Sequence, residues 1–455
     1  MSAPREARPT IPFVDDYCEL YRGLFTDVRM FEAFKFLHLG LISDIKRKSL
    51  PAIAKAVGLA DEQGLHHCVS ESPWQASQLR HSRLEMILEL VNGQPLTLLI
   101  DETGDCKKGN TTDYVKRQYI GNLGKREHGI VVVTVYGLVA GMVLPLCFEV
   151  YKPRERLKAT DVYYSKPQIA AQMIRRLQAM GFRLEMVLAD SLYGESKSNF
   201  ISVLEALQLP YILAIRSNHK EAMPPEQQVS YGEWIPFERV FSNGELEQRY
   251  LREIIYGTAR PTRYWQITTA PETLPKNSTW FVQSQAPALK LVEIGNVYGF
   301  RTWVEYGLKY SKDALGWSDF RLTDYAHIEK WWEIVMSAFL MVSLFAPQFN
   351  QSCPLSHQFF AQHPWWSQQN GWKALLNNLR LVILPLLSFS GIKRWLEVRP
   401  IAALARGFAR LIEQMTQFYC PVVRQLNLHR LLLTCQLRRR RRRRQNLRFV
   451  SFSSA

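Results

Sequence analysis

Cysteine is scarce in this chain. The seven residues Cys18, Cys68, Cys106, Cys147, Cys353, Cys420 and Cys435 are scattered over 455 positions, and no two form a CxxC pair. That excludes the usual zinc and dithiol signatures, and an odd, dispersed set does not make an extracellular disulfide scaffold. The N-terminal stretch MSAPREARPTIPF has no apolar signal-peptide core. Long apolar runs are missing as well. The longest, Ile334 to Pro347, is interrupted by Ser337 and Ser343 and follows Glu333. It is too short to span a bilayer and predicts a buried helix. No membrane partner is expected, and the reducing cytoplasm, close to the nucleoid, is the expected compartment. The far C-terminus lacks acid altogether: no Asp or Glu lies between Arg438 and Ala455.

What is present is a foldable and strongly basic composition. Hydrophobic residues make up 47% and charged residues 22%, the balance of a globular protein long enough for two or three domains. Lys plus Arg number 57 against 41 Asp plus Glu, a net charge of +16. Seven consecutive arginines, Arg438 to Arg444, and Arg448 carry eight of those charges, so +8 remains on the rest of the chain. A basic body points to a polyanionic partner, most simply nucleic acid. The arginine run itself predicts a disordered tail, residues 438–455, with non-specific affinity for DNA or no role at all.

Periodicity divides the chain further. Residues 1–94 read as helical, with three-and-four apolar spacing in FEAFKFLHLGLISDI and RLEMILELV. Between these, Ala54-x3-Gly58 fits the turn of a helix-turn-helix or a plain helical hairpin. From residue 95 the pattern becomes strand-like. LTLLID, the two halves of GIVVVTVYGLVAGMVLPLCFEVY about Gly141, LEMVLAD and YILAIR are strands, and KPQIAAQMIRRLQAMG and SKSNFISVLEALQL are helices between them. That order makes residues 95–216 a mixed α/β sheet. Residues 217–295, punctuated by proline, read as a β-rich insertion of short antiparallel strands, including YLREIIYG, RYWQITTA, WFVQSQ and LKLVEIG. Residues 296–350 return to helix, and 351–437 form a helical C-terminal region.

Two of the strands run into an acid followed by a glycine-containing loop: Ile100-Asp101-Glu102-Thr103-Gly104 and Ala189-Asp190-Ser191-Leu192-Tyr193-Gly194. Acids at carboxyl ends of sheet strands lie at the edge where α/β proteins place ligands. One such acid is commonly a cap, and Asp190 can cap the helix that follows it. Two in one sheet favour a hard-cation site. Asp101 is preferred over Glu102 and Asp105 because it directly ends the apolar strand. A third acid sits in a spaced set: Tyr298, Arg301, Glu305 and Lys312 are separated by three, four and seven residues. On a regular α-helix these fall within about 60° of one another, a stripe unlike an apolar core face. A solvated face with Arg–Glu pairing is the plainer alternative. Gly299 and Gly307 each weaken the helix by about 1 kcal/mol relative to alanine.

These residues resemble the DDE transposases of insertion sequences. Tyr298-x2-Arg301-x3-Glu305-x6-Lys312 is similar at every spacing to the Y-R-E-K signature of one large group. Asp190-x2-Tyr193-Gly194 is similar to the motif at its second aspartate, and Arg117-Gln118-Tyr119-x-Gly121-x2-Gly124-Lys125 to the loop after its first. The resemblance covers about residues 95–345. It implies an RNase H-like catalytic core interrupted by a β-strand insertion. It also implies a triad of Asp101, Asp190 and Glu305 holding two Mg²⁺ ions, with Mn²⁺ able to substitute, and Asp101 shared between them.

The implied activity is cleavage of element ends and strand transfer into target DNA, a phosphoryl transfer without a covalent protein intermediate. The implied partners are double-stranded DNA, at the terminal inverted repeats and the target, and a second copy of the chain. Arg301 and Lys312 would clamp phosphates, Tyr298 would meet the 5′ phosphate near the cut, and Tyr193, Lys107, Lys108, Arg117 and Lys125 would contact DNA. Some relatives also place an aromatic in the insertion to hold a flipped base, a role open to Trp265 or Trp280. Residues 1–94 are the candidate for reading the ends. Two other functions are compatible with such a core: an RNase H-like nuclease or resolvase, and a silenced relative that only binds DNA.

Overall fold

The computed structural model describes residues 5–216, 229–241, 245–256, 262–285, 291–346, 361, 363–369 and 371–425. The arginine tail lies outside the described residues. Contacts divide the chain into two units, Met1–Asn92 with Tyr310–Ala455, and Gly93–Lys309. The division falls inside the 296–350 stretch.

The first unit opens with helices α1 (Pro12–Glu19), α2 (Val28–Ile42), α3 (Leu50–Ala56), α4 (Gln63–Ser70) and α5 (Ala76–Val91). Every residue of α2 from Phe31 to Ile42 is buried, so this helix is core on all sides. Gly58, in the connection between α3 and α4, has φ +75°, a left-handed turn that glycine adopts without strain.

The second unit is built on an 11-stranded mixed sheet. Strand β1 (Leu96–Cys106) pairs antiparallel with β3 (Lys125–Val139), and β3 carries both β2 (Lys116–Ile120) and β4 (Met142–Val150) on its other side. The β3–β4 turn is Ala140-Gly141, both with positive φ, which matches the strand twist of a tight hairpin. Helix α6 (Lys166–Ala179) crosses to β5 (Leu184–Ala189), which runs parallel to β1. A capping box at Ser165 and Gln168 starts α6, and Gly181, at φ +95°, follows its end. Helices α7 (Ser191–Gly194) and α8 (Ser202–Ala206), with a π-helical turn at Lys197–Ile201 between them, lead to β6 (Tyr211–Ile215), parallel to β5. The order β4-β3-β1-β5-β6 is RNase H-like, as the resemblance implies.

The insertion continues this same sheet. Strands β7 (Val229–Tyr231), β8 (Ile235–Val240), β9 (Leu246–Tyr256), β10 (Arg263–Thr268) and β11 (Trp280–Ser284) follow, and β11 pairs antiparallel with β6. One expectation fails here. The described part of LKLVEIG, residues 291–295, is not a strand but the start of α9 (Leu291–Gly299), with Ile294 and Tyr298 buried one turn apart; its first two residues lie outside the described ones. The helix then tightens to a 3₁₀ turn at Phe300–Thr302 and resumes as α10 (Trp303–Lys309), which buries Gly307 against the Tyr136 ring.

The first unit resumes with a π-helical turn at Tyr310–Ala314, α11 (Tyr325–Ser343), α12 (Trp372–Val398) and α13 (Ala402–Gln425). The apolar run from Ile334 is buried in α11, as are Trp331 and Trp332. Among the described residues α12 alone is long and apolar enough to cross a membrane by length and composition. Its Arg380 instead holds protein: Nε and Nη2 donate to the Ile42 and Ser43 carbonyls at 3.0 and 3.2 Å, capping α2. The Lys48 ammonium donates to the same Ser43 carbonyl.

Glu333 is fully buried between two guanidiniums, with Arg80 Nε at 2.5 Å and Arg83 Nη2 at 2.9 Å. Glu333→Ala would leave two cations buried without it. We expect urea denaturation to show a loss of about 3–5 kcal/mol, against less than 1 kcal/mol for an exposed ion pair such as Lys158–Asp113.

Burial, reinforced by Arg380, lowers the Lys48 pKa from 10.5 to about 7. Between those values the unfolded chain holds the extra proton, so this residue makes stability rise as pH climbs from 7 towards 10. Lys48→Met should flatten that rise in melting curves taken across the range.

Candidate active site

The parallel register of β1 and β5 sets the first two acids. Their pairing ends at Ile100 and Ala189, so Asp101 and Asp190 are the next residues on neighbouring strands. Asp101 does not end its strand, contrary to expectation. β1 continues through Cys106 against β3, and only the parallel side stops at Ile100. Asp101 is buried, with its Oδ1 accepting from the Glu102 N–H at 2.8 Å. Asp190 caps α7: Oδ1 accepts from the Leu192 N–H at 3.0 Å. The plain reading of Asp190 as a cap is therefore correct for one oxygen, which leaves the other for chemistry.

Arg301 joins these acids to the third. From the 3₁₀ turn its Nη2 donates to Asp101 Oδ2 at 3.1 Å, and its Nη1 lies 3.5 Å from Glu305 Oε1 on α10. Burial pushes the Asp101 carboxyl up to about 6, with Asp190 and Glu305 adding to the rise; Arg301 and the Glu102 N–H pull the other way. Burial opposes the Arg301 charge, yet Asp101 and its neighbours raise its pKa above the ordinary value. The Tyr298 phenol is pushed up to about 12, chiefly by burial.

The expected stripe is only partly realised. Tyr298, Arg301 and Glu305 all line one cavity of 820 Å³ with Asp190, Gln266 and Trp280. Lys312 follows in a π-helical turn, Tyr310–Ala314, so the segment from Tyr298 to Lys312 is not one continuous α-helix. Tyr193 cannot touch DNA as expected: it is fully buried, and its hydroxyl has no hydrogen-bond partner. Burial raises its pKa, and Glu102, Asp190 and Asp101 raise it further. Glu102 faces Lys166, 2.6 Å away.

The loop cations stand apart from the carboxylates. β1 runs five residues past Asp101, so Lys107 and Lys108 leave the strand about 20 Å along it. The β2–β3 hairpin, with Arg117 and Lys125 exposed on it, comes back towards Glu102: a Cβ at Gly121 would lie 3.9 Å from Glu102 Oε1. Trp265 is fully buried and closed to a base; Trp280 lines the cavity and meets the Tyr298 ring edge-on at 5.5 Å. Lys276, also in the cavity wall, was not foreseen, since a lone lysine between prolines and polar residues has no distinguishing pattern.

An oxygen-only donor set suits a hard divalent cation. Neighbouring carboxylates that raise the Asp101 pKa, and the orphaned Tyr193 hydroxyl beside them, also fit such an ion. As placed, no three His, Cys, Asp or Glu residues among the described ones are grouped to hold a metal. The Arg301 guanidinium stands between Asp101 and Glu305 and carries the positive charge there.

Gly194 shows why the second motif ends in glycine. A Cβ there would lie 1.9 Å from the Ala214 carbonyl oxygen of β6. The Gln283 side-chain amide also donates to the Gly194 carbonyl. Gly194→Ala should push α7 off β6 at a cost of about 1–3 kcal/mol, read as a lowered melting temperature.

Comparison with known proteins gives the family. Residues 19–244 match the family described as DDE superfamily endonuclease. The chain is 62% identical over 329 residues to a protein of Microchaete diplosiphon named as the probable transposase for insertion sequence element IS701, covering 72% of this chain and 87% of that protein. A solved structure, the piggyBac transposase synaptic complex with hairpin DNA, covers 89% of this chain and 81% of its own at 12% identity and a TM-score of 0.41. Enzymes of the DDE endonuclease superfamily use divalent metal ions and act on DNA. The chain belongs to the DDE transposases of insertion sequences.

Proposed function

We propose that Asp101, Asp190 and Glu305 are the catalytic acids of this transposase, and that it cuts the terminal inverted repeats of its element and joins the freed 3′ ends to target DNA. The observation that carries the reading is a single guanidinium between Asp101 and Glu305, with Asp190 next to Asp101 across the β1–β5 pairing.

The three carboxylates would hold two Mg²⁺ ions, or Mn²⁺ in their place, which would supply charge stabilisation at the attacking and leaving oxygens. The chain's own residues do the rest. The Leu192 N–H keeps one Asp190 oxygen fixed, so the side chain presents the other in one orientation. Arg301 neutralises the carboxylates in the free protein and would turn to a DNA phosphate once their charge is otherwise met. Tyr298, in the cavity wall, would pack against the terminal nucleotide, and Lys312 would meet a phosphate beyond it. Tyr193 would orient a water beside the acids from its buried position.

Lys107, Lys108, Arg117 and Lys125 would guide the flanking duplex by its backbone. Residues 1–94 would read the ends, and two copies would bring both ends together. These roles favour a transposase over a plain nuclease, which has no need of an Arg301-type clamp beside its acids.

Asp190→Ala should lower cleavage of a duplex carrying the element end by about three orders of magnitude, some 4 kcal/mol of barrier. EDTA should abolish cleavage, and added Mg²⁺ or Mn²⁺ should restore it. Native cleavage by Asp190→Ala would refute the assignment, and cutting without any joined product would favour the nuclease.

A further inference from the structure

Strand β8 of the insertion turns Phe237 and Arg239 to the same face, two residues apart as the pleat requires, and both are nearly inaccessible. They meet α9 at two glycines one helical turn apart. A Cβ at Gly295 would lie 2.4 Å from the Phe237 ring, and one at Gly299 would lie 3.2 Å from Arg239 Nε. Bare backbone at these two positions is what lets a strand of the insertion lie against the helix that leads to Glu305.

Arg239 then reaches past Gly299 into the turn. Its Nη2 donates to Thr302 Oγ1 at 2.7 Å, and that hydroxyl donates to the Gly299 carbonyl at 2.9 Å. The two bonds tie both ends of Phe300–Thr302, the turn that carries Arg301. Trp280, on β11, presses on the same segment through Tyr298. The Arg239 and Arg249 guanidiniums lie 5.0 and 4.0 Å from the Trp280 ring. Glu247 on β9 pairs with both arginines, at 3.5 and 2.6 Å. Three strands of the insertion, β8, β9 and β11, thus converge on five residues, Tyr298 to Thr302.

We propose that Arg239, backed by Trp280, is a positioning residue for the transposition chemistry: it sets the Phe300–Thr302 turn so that Arg301 and Glu305 face Asp101. The insertion is then part of the catalytic apparatus in its own right, whatever DNA it also contacts. This rests on the assignment of Asp101, Asp190 and Glu305 as the acids. Arg239 touches none of them; it acts through Thr302 and Gly299.

The test uses the full chain in three forms: Arg239→Ala, Thr302→Val and, as the control on the acids, Asp190→Ala. Thr302→Val keeps the shape of the side chain and removes only its hydrogen bonds, so it serves if Arg239→Ala does not fold. Three readouts are taken: cleavage turnover at saturating end duplex with Mg²⁺, affinity for that duplex without metal, and amide hydrogen exchange.

Loss of a hydrogen bond to a charged group should cut turnover by about ten- to a hundredfold in Arg239→Ala and Thr302→Val. Duplex affinity should stay within about twofold of native, since neither change removes a charge from the exposed basic loops. Exchange should quicken at residues 298–306 and stay native elsewhere. Native turnover in Thr302→Val would overturn the proposal, as would a fall matched by weaker duplex binding or by faster exchange throughout the unit. A native Asp190→Ala would instead remove the acid assignment, whatever the other two variants do.

Discussion

Asp101 and Asp190 stand side by side because β1 and β5 run parallel and in step as far as Ile100 and Ala189. Carboxylates at about the 4.8 Å spacing of neighbouring strands repel by about 3 kcal/mol at an effective dielectric of about 20. Burial is the larger cause of the Asp101 carboxyl being driven up to about 6, and the Asp190 and Glu305 charges add to it. The protein offsets the repulsion with Arg301, 3.1 Å from Asp101, and the same guanidinium extends towards Glu305. The edge is thus arranged around positive charge, supplied by the chain itself until another source arrives.

That constraint makes the turn carrying Arg301 the critical piece of backbone. A guanidinium on a regular helix would follow the 100° step of its neighbours, and Tyr298, Arg301 and Glu305 would be fixed relative to one another by helix geometry alone. Here the helix tightens at Phe300–Thr302, so the local geometry must be fixed by contacts from outside the helix. The Thr302 hydroxyl and the Tyr298 ring find such contacts, from Arg239 of β8 and Trp280 of β11, and the Gly299 carbonyl is held in turn by the Thr302 hydroxyl. Gly295 and Gly299 lower intrinsic helix propensity by about 1 kcal/mol each, and what that cost allows is the close approach of Phe237 and Arg239.

Asp101 and Asp190 stand out in the sequence because their signals are local: an apolar run, an acid, a glycine loop. Spacing alone picked out Tyr298, Arg301 and Glu305. The local signal at Asp101 is nonetheless incomplete, since the strand does not stop there. Its parallel and antiparallel partners end at different residues, and both partners lie far away in sequence. LKLVEIG was misread because its alternation of apolar and polar residues mimics a strand, while the helical repeat appears only when Ile294 and Tyr298 are taken together. The DNA contact expected of Tyr193 rests on the motif at the second aspartate, and nothing local reveals that its ring turns into the protein. The stripe to Lys312 assumes 3.6 residues per turn throughout, whereas the segment includes a 3₁₀ and a π-helical turn. Arg239 carried no signal at all, since its partners Thr302, Trp280 and Glu247 are on three other elements.

The continuity of the sheet explains how an insertion can act at the site. Had residues 217–295 formed a separate domain, its pressure on α9 would pass through a flexible joint. Instead β11 pairs with β6, β6 with β5, and β5 with β1, so the strands that hold Tyr298 and Thr302 belong to one hydrogen-bonded ladder with those that carry Asp101 and Asp190. Sheets resist in-plane displacement because shifting one strand breaks every bond along it. The distance from Trp280 to Asp190 is therefore set by strand spacings, while the helix segment between them follows the sheet. Glu305 needs only one turn of α10 beyond that segment to reach its place. An architecture of this kind tolerates glycine and a change of helix type next to the chemistry, since the rigidity needed there comes from the strands and not from the helix.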